Sequence, residues 1–327
     1  MEDISIHKKY IQRCIDLAYK AGKDVKGNPN VGAVLVHDGC IIGEGYHQQY
    51  GGPHAEVNAV NSVSEKDKHK IQSSRLYVSL EPCCIHRKTP PCTSLILKYK
   101  IPEVFISTVD PNSDINGEAV NLLRENGVTV TTSILDDEGK QLIRPFASAL
   151  GKRSYIILKW AQSSDGYITA KGEQTRISNQ YSDRLVHLWR SEVDGILVGH
   201  NTVLIDNPKL TVRHVPGDNP RPIVLTNNIL DLKGTYLADE SAGSLCYDGM
   251  NINEMLSDLY SKGIHRLLIE GGAKTHKRFI ESGHWDEARI INNNRPLGKG
   301  IRAARVQGIL MNSYDLYGDS IEILRKS

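Results

Sequence analysis

Gly52-Pro53-His54-Ala55-Glu56-Val57 is the first of two short stretches that are rich in metal-binding residue types. The second runs from Glu81-Pro82-Cys83-Cys84 to Pro90-Pro91-Cys92. A catalytic zinc ion takes three nitrogen or thiolate ligands from the protein and leaves one position open for water. His54, Cys83 and Cys92 meet that count, and we therefore predict that they bind zinc.

Glu56 follows the predicted histidine ligand by two residues, which places its carboxylate close to the metal without making it a ligand. A carboxylate at such a position can accept a proton from an attacking water and return it to a departing amine. We predict that Glu56 is the proton shuttle of a hydrolytic reaction.

Two other interpretations of these stretches stay open. His-x-Glu recurs by chance in long sequences, and cysteines are often simply small buried apolar residues. A structural zinc site would need a fourth ligand, and Cys84 could supply it. Neighbouring residues of an extended chain point in opposite directions, which favours a position for Cys84 outside the ligand set.

The composition is that of an ordinary globular protein with two domains. The 327 residues exceed the usual size of one domain, and 39% of them are hydrophobic and 24% charged. The formal net charge is only +2, and lysines and arginines are spread along the chain instead of forming a basic stripe. We expect a small-molecule substrate, and neither a nucleic acid nor a membrane as partner.

The spacing of the cysteines and the composition of the first ten residues indicate the cellular compartment of the protein. Three of the six cysteines lie within ten positions, which favours metal or redox chemistry over a disulfide framework. The first ten residues carry acids and lysines instead of an apolar signal core, and the apolar run at 31–36 is too short to span a bilayer. We expect a cytoplasmic protein.

Alternating helix and strand patterns predict a layered α/β fold for the first half of the chain. A helical pattern covers residues 10–21, and strands at 31–36 and 41–45 are joined by the turn His37-Asp38-Gly39. The other predicted elements are a helix that begins near His54, a helix at 94–99, and strands at 76–80, 104–109 and 128–132.

The pattern restarts near residues 150–154, and we place the two domains at 1–148 and 149–327. Ser163-Ser164-Asp165-Gly166 is a turn signal after the first strand of the second half. No internal repeat is visible, so we expect a second and different α/β domain. Its predicted elements are strands at 155–160, 195–198, 222–226 and 266–269 and helices at 183–189 and 254–260.

Gly271 and Gly272 lie where the strand at 266–269 is predicted to meet a helix that starts near Thr275. Backbone amides at such a point can approach a pyrophosphate at the positive end of the helix. A generic tight turn is the alternative. The second half lacks Gly-x-Gly-x-x-Gly, which excludes a Rossmann fingerprint.

His-x-Glu followed by Pro-Cys-x-x-Cys is the known signature of zinc deaminases, and this chain matches it with a longer spacing before Cys92. That spacing is typical of the bifunctional deaminase and reductase family of riboflavin biosynthesis, which the first half resembles. The motifs that carry the resemblance are Asn28-Pro29, Val31-Gly32-Ala33-Val34, Gly43-Glu44-Gly45-Tyr46-His47, His54-Ala55-Glu56, Glu81-Pro82-Cys83, Lys88-Thr89-Pro90-Pro91-Cys92 and Asp110-Pro111-Asn112.

The second half resembles the reductase domain of the same family, which uses NADPH. The matching motifs are Lys159, Ser163-Ser164-Asp165-Gly166, the run 199–213 and Ile269-Glu270-Gly271-Gly272. The implied fold class is α/β, with an N-terminal cytidine-deaminase-like α/β/α layered domain and a C-terminal dihydrofolate-reductase-like α/β domain.

The resemblance also implies roles for individual residues. A pyrimidine and ribose-phosphate pocket in the first domain would be lined by Asn28, His47, Lys88, Thr89, Asp110 and Asn112. In the second domain the substrate would contact Arg190, Leu210, Arg213 and Glu270. Lys159 and Asp206 would manage the proton of the reduction. NADPH would contact Ala161, Arg176, Ser178, Thr202, Asp206, Gly271, Gly272, Ala273, Lys274 and Thr275.

Structural interpretations of single residues stay open beside these roles. Lys88 is compatible with a solvated surface position, Asp110 with a helix cap, and Lys159 with an ion pair. The asparagines Asn28 and Asn112 are compatible with turns beside prolines. The chain departs from the usual family residues at Ile85, Arg87, Ser164 and Arg176, where His, Gly, Leu and Trp are usual.

The implied function is that of a bifunctional enzyme that acts as a homo-oligomer, a dimer or a tetramer. With zinc it would deaminate 2,5-diamino-6-(5-phosphoribosylamino)pyrimidin-4(3H)-one hydrolytically, and with NADPH it would then reduce the ribosyl side chain to ribityl. The main alternative is a different zinc deaminase, acting on a nucleoside, a nucleotide or a tRNA base, with a diverged second domain. A zinc-stabilised binding module is the non-enzymatic alternative.

Overall fold

The computed structural model describes residues 3–86, 90–170, 175–248 and 251–327. The chain divides into two compact units, Met1–Gly151 and Lys152–Ser327. Within the described ranges, no helix combines the length and the apolar composition that are needed to cross a membrane.

The first unit is a five-stranded sheet with helices between its strands. The strand order is β2-β1-β3-β4-β5, in which β1 pairs antiparallel with β2 and β3, and β3, β4 and β5 run parallel. This confirms the predicted layered α/β fold and the predicted hairpin. The elements are α1 (Ile4–Tyr19), β1 (Gly32–His37), β2 (Cys40–Tyr46), α2 (Ala55–Asn61), a 3₁₀ helix (Glu65–Ser73), β3 (Arg75–Leu80), α3 (Cys92–Lys98), β4 (Glu103–Thr108), α4 (Glu118–Glu125), β5 (Thr129–Thr131), α5 (Asp136–Leu142) and α6 (Arg144–Leu150).

Both faces of this sheet are covered by apolar packing. Leu35 and Val78 belong to a core that also takes in residues of α2, α3 and α4. Their chain neighbours Val34 and Tyr77 belong to a second core with α1 and α5. Alternate residues of a strand point to opposite faces, so a sheet buried on both sides has strands that are apolar at successive positions. The sheet therefore lies between two layers of helices.

The second unit is an eight-stranded sheet in the order β10-β9-β8-β11-β6-β12-β15-β14. Neighbours from β10 to β12 run parallel, and β12, β15 and β14 pair antiparallel. The elements are β6 (Tyr155–Gln162), β7 (Tyr167–Thr169), α7 (Gln180–Ser191), β8 (Gly195–Gly199), α8 (His200–Asp206), β9 (Arg221–Leu225), β10 (Leu245–Tyr247), α9 (Ile252–Ser261), β11 (Arg266–Ile269), α10 (Ala273–Glu281), β12 (Glu287–Asn293), β13 (Ile301–Arg302), β14 (Ile309–Leu316) and β15 (Asp319–Arg325).

The predicted helices and strands are confirmed, with ends that shift by up to six residues, the largest shift being the start of α1 at Ile4 where residue 10 was predicted. Several further elements were not predicted. The unpredicted helices α5, α6 and α8 are only seven residues long, and unlike the equally short α2 and α3 they do not adjoin the metal-binding motifs that pointed to those helices. The edge strand β14 is mostly exposed and lacks the buried apolar run that marks β8 and β11. Tertiary packing, more than the local sequence pattern, determines the conformation of these elements.

Helix α2, which begins directly after His54 and carries Glu56, packs unusually close to strand β2. A Cβ atom added at Gly43 would lie 2.4 Å from the backbone oxygen of Ala59, and one added at Gly45 would lie 2.4 Å from its backbone nitrogen. Such distances exclude a side chain at either position. The two glycines of β2 therefore fix how deeply the helix with the predicted metal and proton-transfer residues sits on the sheet.

We predict that Gly45→Ala pushes α2 away from β2, lowers the free energy of unfolding of the first unit by about 1–3 kcal/mol, and weakens zinc binding. Urea unfolding and zinc titration measure the two effects. Gly151→Ala is the control, because its φ is −79° and the added Cβ would meet nothing closer than 3.4 Å. Equal stability of the Gly45→Ala variant and the unsubstituted protein would contradict the packing argument.

Candidate functional site

Three separate elements bring the predicted zinc ligands together. His54 immediately precedes α2, Cys83 follows β3, and Cys92 is the first residue of α3. One ligand atom from each lies within 4.8 Å of the others. The Nδ1 atom of His54 lies 3.3 Å from the Cys92 Sγ and 3.5 Å from the Cys83 Sγ. Nδ1 is therefore the imidazole nitrogen that faces both sulfurs.

This donor set fits zinc. Zinc bonds of about 2.0–2.3 Å in a tetrahedral site place neighbouring ligand atoms roughly 3.5 Å apart, which is the separation found between the His54 nitrogen and the two sulfurs. The backbone N–H of Cys92 donates to the Cys83 Sγ at 3.3 Å. The Cys92 thiol, and to a smaller extent this N–H, lowers the pKa of Cys83, which favours the thiolate that a metal requires.

Cys84 has different surroundings from its neighbour. The cluster of metal-binding side chains found among the described residues consists of His54, Cys83 and Cys92 and leaves Cys84 out. Burial raises the pKa of the Cys84 thiol, which disfavours a thiolate. The geometry thus agrees with a three-ligand site that leaves a position for water.

Glu56 lies in the first turn of α2 and is only 3% exposed. It lines the same cavity as His54 and Cys83. Burial raises the pKa of Glu56, because a desolvated carboxylate holds its proton more tightly. A carboxyl group with a raised pKa can both accept and donate a proton near neutral pH.

A cavity of about 350 Å³ adjoins the predicted metal ligands. Four of the residues predicted to contact the substrate of the first domain line it, Asn28, His47, Asp110 and Asn112. The Nδ1 atom of His47 lies 3.0 Å from the carbonyl oxygen of Pro53, and its Nε2 atom lies 3.3 Å from the Asn28 Nδ2. Burial lowers the pKa of His47, so the neutral ring donates to Pro53 and accepts from Asn28. The Asn28 amide is thereby held in one orientation.

Lys88 and Thr89 were predicted for the phosphate side of this pocket, and both lie outside the described residues, as does Arg87. Several further residues line the cavity although sequence reasoning gave them no role there, among them Tyr50, Glu81, Ile115 and Phe146. Ile85, at a position where His is usual in the family that the sequence resembles, also lines the cavity. Phe146 belongs to the short helix α6, and no local signal connected it to the site.

The second unit contains a cavity of about 700 Å³ beside the carboxyl ends of β8, β9 and β11. Every residue predicted to contact NADPH lines this cavity, and so do Lys159 and Glu270. Asp206, the last residue of α8, also lines it. Sequence reasoning missed His200, Thr226 and Asp231, which line the cavity near the end of β9.

The glycines before α10 fit a bound dinucleotide. A Cβ atom at Gly271 would lie 2.7 Å from the backbone nitrogen of Gly199, so the ends of β11 and β8 meet without room for a side chain. Gly272 immediately precedes α10, and its N–H donates to the Thr202 Oγ1 at 3.1 Å. The first amides of α10 therefore face the cavity at the positive end of a helix, which suits a pyrophosphate.

The four residues predicted to contact the substrate in this unit have different surroundings. Arg190 Nε and Nη2 donate to the two carboxylate oxygens of Glu270 at 2.9 and 2.8 Å, and its Nη1 donates to the Thr211 carbonyl oxygen at 3.1 Å. Leu210 is buried in the left-handed conformation, with φ at 55°. Arg213 is exposed, so of the two predicted arginines it is the one open to a phosphate from solvent.

A buried glutamate beside one imidazole and two thiols, on a sheet between two helical layers, defines the class of zinc-dependent deaminases. Comparison with protein families agrees. Residues 4–108 match the cytidine and deoxycytidylate deaminase zinc-binding region, and residues 154–316 match the RibD C-terminal domain.

Relatives cover nearly the whole chain. The riboflavin biosynthesis protein RibD of Aquifex aeolicus (strain VF5) is 33% identical over 321 residues, covering 90% of this chain and 89% of the relative. RibD of Bacillus amyloliquefaciens is 34% identical over 311 residues, covering 85% and 82%. A solved Thermotoga maritima structure, a diaminohydroxyphosphoribosylaminopyrimidine deaminase/5-amino-6-(5-phosphoribosylamino)uracil reductase, matches with a TM-score of 0.85 at 31% identity and 99% coverage of both chains.

The chain belongs to the RibD family of riboflavin biosynthesis proteins, with a zinc-binding deaminase domain followed by a reductase domain. The resemblance seen in the sequence motifs is thereby confirmed, and so is the fold class that it implied.

We predict that Cys92→Ser loses most of its bound zinc, because one of the three ligands no longer provides a thiolate. Elemental analysis of the purified protein measures zinc per chain. Cys84→Ser is the matched control, and it should keep zinc at the level of the unsubstituted protein. Loss of zinc from the Cys84→Ser variant would show that Cys84 is a fourth ligand and that the site is structural.

Proposed function

We propose that this protein catalyses two steps of riboflavin biosynthesis. Residues 1–148 would deaminate 2,5-diamino-6-(5-phosphoribosylamino)pyrimidin-4(3H)-one hydrolytically, and residues 149–327 would reduce the ribosyl side chain of the product to ribityl with NADPH. The observation that carries this proposal is the cavity where Glu56 lies buried beside His54 and Cys83. Family membership and the activities named for the Thermotoga maritima structure supply the substrate class.

In the first unit, His54, Cys83 and Cys92 would hold zinc, which as a Lewis acid makes water acidic at neutral pH. Glu56 accepts a proton from the water that attacks C2 of the pyrimidine. Glu56 then delivers the proton to the amino group on C2. The bond between C2 and this exocyclic nitrogen breaks, and the amino group departs as ammonia. The raised pKa of Glu56 suits both transfers.

The cavity next to Glu56 provides the groups that a flat heterocycle needs at its edge. Asn28 offers an amide that the neutral ring of His47 holds in place. Asp110 offers carboxylate acceptors, and Asn112 offers a further amide. A volume of about 350 Å³ lies within the usual range of small-molecule sites. We assign the phosphate to Lys88 and Thr89.

We predict that the purified protein releases ammonia from the pyrimidine substrate and not from cytidine or tRNA, which tests the rival deaminase functions. Glu56→Gln should lower the rate of ammonia release by about 10²–10⁴-fold, because it removes the proton acceptor. Bound zinc and NADPH oxidation with the deaminated substrate serve as controls and should be unchanged. Full deamination by the Glu56→Gln variant would refute the proton-shuttle role, and it is also what a zinc-stabilised binding module predicts.

In the second unit the reduction requires a hydride, which NADPH supplies, and one proton. Lys159 lines the cavity and is our candidate for the proton donor, with Asp206 as a further member of the site. Arg190 fixes the carboxylate of Glu270, and we assign the substrate phosphate to Arg213. Glu270 is thereby held ionised and available to the substrate's polar groups.

We predict that NADPH oxidation falls as the pH rises through the pKa of Lys159. Burial lowers this pKa, against an opposing effect of Glu270, so the decline should begin below the usual lysine range of about 10.4. The sign follows because only the protonated amine can donate. Lys159→Arg should abolish the decline, since a guanidinium stays protonated at every accessible pH. An unchanged pH profile in the arginine variant would assign the proton to another group.

We also infer that the protein works in the cytoplasm as a homo-oligomer, a dimer or a tetramer, with small molecules as its binding partners. Among the described residues, β14 is the last strand of its sheet and pairs with β15, and it exposes Ile309 and Leu310. An apolar edge strand of this kind is suited to pairing with a second copy. Sedimentation velocity at several concentrations tests this inference.

A further inference from the structure

Glu81 is a buried carboxylate to which sequence reasoning gave no role of its own. It follows β3 directly and is only 3% exposed. Its Oε2 atom accepts from the backbone N–H groups of Asp110 at 3.1 Å and Gly117 at 2.9 Å. Its Oε1 atom accepts from those of Ala119 at 3.1 Å and Val120 at 3.3 Å. Both oxygens are thus used by backbone donors.

These donors come from two places in the chain. Asp110 follows β4, whereas Gly117, Ala119 and Val120 lie at the beginning of α4. The first N–H groups of a helix have no partner within the helix, and the positive end of the helix favours a negative charge. A buried carboxylate is stable where several backbone N–H groups donate to it. Glu81 therefore joins the end of β4 to the start of α4.

The segment between these two anchor points faces the deaminase cavity. Asp110, Asn112 and Ile115 line the cavity, and all three lie between the β4 end and Gly117. Within the segment, the N–H of Asn112 donates to the Asp110 Oδ1 at 2.8 Å. Glu81 also lines this cavity, but both of its carboxylate oxygens accept from backbone N–H groups of residues 110–120. The placement of Asp110 and Asn112 therefore depends on Glu81 through the backbone.

Glu81 also lies two residues before the predicted ligand Cys83, so it could instead position the metal ligand. Its side-chain hydrogen bonds go to residues 110–120. The Cys83 sulfur is instead bonded by the backbone N–H of Cys92. The contacts thus connect Glu81 to the substrate-facing segment and not to the metal ligand.

We propose that Glu81 is a positioning residue for substrate recognition in the deaminase unit. It holds segment 110–117 so that Asp110 and Asn112 meet the pyrimidine, and it leaves metal binding and proton transfer to other residues. This inference rests on the proposed function for the identity of the substrate. It adds a residue whose effect on the substrate passes through the backbone.

The test is Glu81→Gln, which keeps the size of the side chain and replaces one acceptor oxygen by an NH₂ group. Two of the four backbone donors then lose their acceptor and face a donor instead. The KM for the pyrimidine should rise roughly tenfold or more, because a lost hydrogen bond to a buried charged group is costly. The kcat should change by less than about threefold, since only binding interactions are altered. Zinc should stay equimolar with the chain.

Glu118→Gln is the matched control. It makes the same change of charge and shape in the first turn of α4, where Glu118 is exposed. Its KM should stay within about twofold of the unsubstituted protein. An unchanged KM in Glu81→Gln would overturn the proposal. So would a loss of zinc and kcat at constant KM, which would place the effect of Glu81 on the metal site.

Hydrogen exchange provides a readout that does not depend on the substrate. In Glu81→Gln, peptides that cover residues 110–120 should exchange faster, and peptides from α2 should not. If the unsubstituted protein releases no ammonia from the pyrimidine, the proposed function fails, whereas the exchange result still decides whether Glu81 anchors the segment. If Glu81→Gln does not fold, Glu81→Asp keeps both oxygens at shorter reach, and a KM equal to that of the unsubstituted protein would overturn the proposal.

Discussion

One imidazole nitrogen and two sulfur atoms must come within bonding reach of a single ion, although they lie at the ends of three different secondary-structure elements. The approach of α2 to β2 over Gly43 and Gly45 brings His54 to the sheet. The end of β3 supplies Cys83, and the start of α3 supplies Cys92. The same geometry fixes Glu56, because that residue lies in the first turn of the helix that His54 precedes. Metal binding, proton transfer and the pocket beside them thus share one structural origin.

The side chains of Glu56 and Glu81 are buried and that of Glu270 is only 10% exposed, and the three carboxylates differ in what compensates their charge. We infer that this difference sets their roles. Glu56 is buried, and this burial raises its pKa, so it can exchange a proton. Glu81 accepts backbone N–H groups on both oxygens, which makes it an anchor. Burial opposes the ionisation of Glu270, but the charges of Arg190 and Lys159 outweigh it and hold the pKa of Glu270 at about 2. The same chemical group therefore serves as proton carrier, structural anchor and fixed anion.

The sequence was informative where a chemical requirement restricts the residue types. Zinc accepts few ligands, so His54, Cys83 and Cys92 could be named from their types and spacing alone. Positions where two backbones meet closely, such as Gly271, restrict the residue type in the same way, because only glycine fits there. Long amphipathic or apolar segments such as α1 and β3 were predictable for the same reason, because burial restricts them.

The rest depended on tertiary packing that no local pattern records. Phe146 lines the deaminase cavity from a seven-residue helix, and His200 and Asp231 line the second cavity beside a strand end. The ion pair of Arg190 with Glu270 joins residues eighty positions apart. The sequence therefore could not show that the Arg190 guanidinium binds this carboxylate. The anchoring role of Glu81 was hidden because its partners are backbone groups, which every residue type presents.

X-ray absorption at the zinc K-edge of the purified protein tests the central claim most directly. The account predicts two sulfur neighbours at about 2.3 Å and nitrogen or oxygen neighbours at about 2.0–2.1 Å, in a four-coordinate site. It also predicts that the first shell changes when a substrate or an analogue displaces water. A shell of three or four sulfurs, or one without sulfur, would contradict the assignment of His54, Cys83 and Cys92 as the three protein ligands.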